Sequence, residues 1–116
     1  LVAHPWLANA RDAAYFDRTP LMMAAREGHV SLVQQLLEAG AQLDLRNHNG
    51  CTALYWACFS QCGADERVVR LLLQRGADPW VRTACGRNAL MVASANGHLG
   101  IVRALLQHRD SSRRQQ

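Results

Sequence analysis

Apolar positions recur along this chain in a fixed order. A short apolar and alanine cassette, Thr19-Pro20-Leu21-Met22-Met23-Ala24-Ala25, is followed by Gly28-His29. It returns as Thr52-Ala53-Leu54-Tyr55-Trp56-Ala57-Cys58, and again as Asn88-Ala89-Leu90-Met91-Val92-Ala93-Ser94 followed by Gly97-His98. After each copy comes a second apolar group: Leu32-Val33 with Leu36-Leu37, Val68-Val69 with Leu72-Leu73, and Ile101-Val102 with Leu105-Leu106. Spacing of i, i+1, i+4 and i+5 puts each group on one side of a helix. The neighbours Ser31, Gln34, Gln35 and Glu38 are polar and predict an outward face.

The cassettes predict shorter helices. Pro20 suits a first helical turn, where its missing N–H costs nothing, and Leu21, Ala24 and Ala25 are expected to face inward. Gly28-His29 separates the first helix from the second. Gly40 stands where a left-handed residue ends a helix, Asn49-Gly50 predicts a tight turn, and Asp65 suits an N-cap. The expected unit is a helix, a turn and a second helix.

Thr52 follows Thr19 by 33 residues. With the Thr-Pro-Leu start, this period resembles the ankyrin repeat, a turn followed by two antiparallel helices. The resemblance covers about residues 1–108. It implies an all-α fold, an ankyrin-repeat solenoid of stacked helix-turn-helix units with β-turn loops. The expected divisions are 1–17, the end of a preceding partial repeat and its loop; 18–50, repeat 1; 51–86, repeat 2 with a three-residue insertion; 87–110, repeat 3; and 111–116, a polar basic tail expected to fray.

The chain departs from the family pattern in several places. Leu1 to Asn9 can be laid on Leu36 to Asp44, so the chain is expected to begin inside the second helix of an earlier repeat and to be cut from something longer. Pro5 stands there in place of a glycine of positive φ, a conformation proline cannot adopt. The insertion falls around Ser60 to Ala64 and reads either as part of a binding face or as a tolerated longer loop. The family's histidine position holds Met22, Tyr55 and Met91. Met23, Trp56 and Val92, one residue on, are expected to stack as core, and Trp80 to be half exposed. Arg109-Asp110 replaces the closing Gly-Ala of repeat 3, and a partner or further chain is expected to cover that repeat's outer apolar side.

Charge and candidate chemistry alter this picture little. All 13 basic residues are arginine and the net charge is +4. Half of that surplus lies beyond His108, and the remainder does not imply a nucleic-acid partner. No run of 18 apolar residues exists to span a membrane. Cys51, Cys58, Cys62 and Cys85 fit no dense disulfide framework and predict free thiols in a reducing, cytoplasmic or nuclear compartment. Cys58 and Cys62 lack the paired spacing of a structural zinc site, and Cys58 replaces an alanine, so a small buried residue is expected there. His29 and His98 recur at equivalent places and read as structural parts rather than catalytic bases. His48 and His108 have no candidate nucleophile beside them. No catalytic, metal or cofactor site is predicted.

The resemblance instead implies a non-enzymatic protein-binding module, a segment of a larger scaffold or adaptor. Its stacked loops and first helices present one concave surface. The family's variable positions fall on Tyr15, Phe16, Arg18, Arg26 and Glu27; on His48, Asn49, Cys51, Phe59 and Ser60; and on Ala84, Cys85, Arg87, Ala95 and Asn96. Aromatic and arginine residues among them suit an interface. Phe16 and Phe59 read equally well as side chains buried under the longer loops. Two other readings stand beside this one: a structural filler packed inside a large assembly, and an arginine-mediated nucleic-acid contact through Arg67, Arg70, Arg75, Arg103 and the tail.

Overall fold

The computed structural model describes residues 18–59 and 65–114, with side chains as far as His108. Among the described residues six helices follow one another: α1 (Pro20–Glu27), α2 (Val30–Glu38), α3 (Ala53–Phe59), α4 (Glu66–Gln74), α5 (Ala89–Ala95) and α6 (Leu99–Arg114). They form two layers. α1, α3 and α5 pack side by side, α2, α4 and α6 do the same behind them, and each hairpin joins the layers.

Each inner helix starts from the same side-chain cap. The Met22 backbone N–H donates to the Thr19 hydroxyl at 3.3 Å, the Tyr55 N–H to Thr52 at 3.2 Å, and the Met91 N–H to Asn88 Oδ1 at 2.9 Å. In repeat 1 the bond is reciprocated. The Thr19 N–H donates to Met22 Sδ at 3.5 Å, so a thioether does the work of the usual Glu or Gln of a capping box. Asp65 caps α4 through the Arg67 N–H, as its position predicts. Gly28, at φ 75°, lets the chain reverse between α1 and α2.

The aliphatic stripes close completely only in the middle hairpin. Val68, Val69, Leu72 and Leu73 are all buried, because α4 lies between α2 and α6. On α2 only Val33 is buried and Leu32 is 40% exposed; on α6 Leu106 is 44% exposed. The cassette position expected to be core also divides. Val92, with a short side chain, is buried. Trp56 is half-buried and Met23 is 37% exposed. Cys58 sits in the core in its alanine's place, and burial pushes its thiol pKa up to about 12.

Gly40 and Gly76, at φ 98° and 99°, follow the ends of α2 and α4. Arg109 takes that position in repeat 3, and α6 runs on to Arg114. The expected frayed tail is therefore helical through 111–114: without a glycine to enter the left-handed region, nothing local stops the helix.

Candidate protein-interaction surface

On the inner layer, α1 and α3 enclose a cavity of about 190 Å³. The described residues that line it are Arg18, Met22, Met23, Arg26, Glu27 and Trp56. Met22, Met23, Arg26 and Glu27 are spaced i, i+1, i+4 and i+5, so α1 presents them as one stripe. Trp56 forms the opposite wall from α3. The Arg26 guanidinium carbon lies 5.7 Å from the centre of a Trp56 ring, a cation–π contact that joins the two walls.

Aromatic residues continue along α3. Phe59 meets Trp56 edge to face with centroids 5.5 Å apart, and stacks on Tyr55 at 6.2 Å. Phe59 is 37% exposed, which decides between its two readings in favour of a surface position. The Asn96 side-chain amide donates to the Phe59 carbonyl at 2.8 Å. That bond satisfies a carbonyl in the last turn of α3, which the helix itself leaves open.

The loops make a second cluster. Asn47 Oδ1 accepts the backbone N–H groups of Asn49 and Cys51, each at 2.9 Å, and so shapes the turn around Gly50. The Ala84 N–H donates to the Asn49 carbonyl at 2.9 Å, stacking one loop on the next. Arg46 bridges the same loops, donating to the carbonyls of Gly50 and Arg82. His48 and Arg87 are exposed at this edge. Burial raises the Tyr55 hydroxyl pKa, the Cys51 and Cys85 thiols add to the rise, and Arg87 pulls against it.

The residues expected to meet a partner therefore separate. Arg18, Arg26 and Glu27 share the cavity, and Phe59 extends its aromatic wall. Asn96 spends its amide on α3. His48, Asn49 and Arg87 lie along the loop edge. Tyr15, Phe16 and Ser60 lie outside the described residues. Met22, Met23 and Trp56 were missing from the expected surface. For Met22 and Met23 the signal was their helical register with Arg26 and Glu27; for Trp56 it was its place one 33-residue repeat after Met23.

Other residues considered for chemistry make the following contacts. The His29 and His98 carbonyls accept the N–H groups of Val33 and Val102, each at 2.9 Å, opening the outer helices. Arg67 pairs with Asp65 at 2.9 Å, and Arg70 with Glu66 at 2.6 Å. The bonds from Arg67 hold the Asp65 carboxyl below the usual carboxylate range. Cys51, Cys58 and Cys85 are free thiols, the first two buried. Among the described residues no three His, Cys, Asp or Glu side chains converge on a metal position, and no helix is long and apolar enough to cross a membrane.

Comparison with known proteins agrees with this architecture. The ankyrin-repeat family (three copies) matches residues 2–83, and a second ankyrin-repeat family (many copies) matches residues 63–106. The chain belongs to the ankyrin-repeat family. It is 35% identical over 98 residues to the ankyrin repeat and KH domain-containing protein mask-1 of Caenorhabditis elegans, covering 84% of this chain and 4% of that protein. It is 42% identical over 88 residues to the E3 ubiquitin-protein ligase XBAT33 of Arabidopsis thaliana, covering 76% and 17%. With the ankyrin repeat, SAM and basic leucine zipper domain-containing protein 1 of Mus musculus it shares 38% identity over 99 residues, covering 81% and 20%. This chain thus spans a fifth or less of each of these relatives. Ankyrin repeats are general protein–protein interaction modules and are usually non-enzymatic.

Proposed function

We propose that this chain is a non-enzymatic interaction segment of a larger scaffold or adaptor, and that it holds its protein partner against the groove formed by α1 and α3. The observation that carries this reading is the cavity, where apolar and charged side chains from two repeats face one space. Exposed Met23 and Phe59 extend it with surface that is costly to leave in water and favourable to cover. The test is capture of a partner by the wild-type chain and by Arg26→Glu, Phe59→Ala, Arg18→Glu and Arg87→Glu variants. Loss of capture well below the melting temperature is expected for the groove variants, which still fold but melt slightly lower because Phe59 and Arg26 give up their contacts to Trp56. Normal capture by all four would remove the inner face from consideration.

The filler reading has one observation in its favour. Leu99, Leu106 and Met91 leave apolar surface open on the last hairpin. A soluble, monomeric chain at high concentration would count against it. The nucleic-acid reading is weakened by the two ion pairs, which use Arg67 and Arg70 locally.

A further inference from the structure

The composition of the α1–α3 cavity selects its occupant, an inference that rests on the groove-binding reading above. Its floor is apolar, with Met22 and Met23 on one side and Trp56 on the other. Methionine side chains adapt to the shape placed on them. The apolar footing continues past Trp56 to exposed Phe59 and is longer than a single side chain needs. Among the described residues the lining also carries charge, on Arg18, Arg26 and Glu27.

Among the described residues, Arg26 is held in place without an acidic partner. Its guanidinium lies over Trp56, and among the described residues no carboxylate pairs with it; Asp65 and Glu66 are taken by Arg67 and Arg70. A cation already oriented beside apolar surface forms a strong charge-assisted bond to an incoming carboxylate, with little ordering left to do.

We infer that the groove takes an extended peptide segment in which a bulky apolar side chain stands close to an aspartate or glutamate. The apolar group seats between Met23 and Trp56, above buried Met22, and the carboxylate meets Arg26. The probe is a library of random short peptides displayed on phage and selected against the whole chain. Retained peptides are expected to share an apolar residue within a few positions of an acidic one. Replacing that acid by its amide in a synthetic copy should weaken binding roughly tenfold. Arg26→Glu should do the same, and a copy carrying lysine in place of the acid should regain affinity for that variant. Arg26→Glu also loses the contact to Trp56, so its melting temperature should fall slightly, and binding is compared well below it.

Retained peptides without an acidic residue, or binding indifferent to Arg26→Glu, overturn the inference. If Phe59→Ala still weakens those peptides, the groove reading survives. No retained peptides, or peptides indifferent to both variants, overturn both.

Discussion

The Asn96 side chain donates to the backbone carbonyl of Phe59 at 2.8 Å, tying the end of α5 to the end of α3. A net hydrogen bond of this kind stabilises by about 1 kcal/mol, and water can replace part of it at an exposed site. Asn96→Ala is therefore expected to lower unfolding free energy by roughly 0.5–1 kcal/mol. Urea titration would show a lower midpoint with an unchanged slope. No change in the midpoint would mean that the bond contributes nothing.

The inner-helix caps make a second prediction. Thr19→Ala and Thr52→Ala should each cost about 1 kcal/mol, since each leaves a first-turn N–H without its side-chain acceptor. Thr19→Ser should retain most of the stability. Equal losses for the serine and alanine variants would assign the effect to the lost methyl group instead.

Gly50 and Gly86 form a matched pair at φ 79° and 81°. A Cβ on Gly86 would meet nothing within 4 Å, but one on Gly50 would lie 3.3 Å from the Ala84 backbone nitrogen. Both alanine variants bear the left-handed cost of about 1–2 kcal/mol. Gly50→Ala is expected to cost more, because the second loop must move. Thermal melts of the two variants isolate that difference, and identical melts would show that the loops give way freely.

Cys58 links the core to alkaline pH. Burial raises its pKa from 9.0 to about 12, so the folded chain keeps a proton that the unfolded chain releases. The stabilising effect is complete below pH 9.0 and is lost as pH climbs toward about 12. Over that window the thiol should lower stability by about 1.4 kcal/mol per pH unit, a slope absent from Cys58→Ala. Comparison of the two proteins removes the contributions of Cys51 and Tyr55, whose pKa values are also raised. Parallel pH profiles would rule out this coupling. In the native state at neutral pH, a thiol reagent should modify exposed Cys85 and spare Cys58.

Much of the fold was legible because helix period and repeat period reinforce one another. Leu72 and Leu73 recur where Leu36 and Leu37 stand, so one hairpin predicts the next. The surface was only half legible. Arg18, Arg26 and Glu27 stood out as charged residues on a variable face. Met23 and Trp56 did not, because an apolar residue inside an apolar cassette reads as core. Whether it is core depends on which neighbour covers it, a property of the stack rather than of local sequence. The extension of α6 had a readable cause in Arg109, but the polar composition beyond it pointed to fraying.

Complete covering of the α4 stripe, set against the partly bare Leu32 on α2, makes local opening unequal. Amide exchange should be slowest in the middle hairpin and faster in the first. The groove draws one wall from each. It should therefore come apart at a smaller free energy than global unfolding, and an occupant bridging Met23 and Trp56 would slow exchange most in α1.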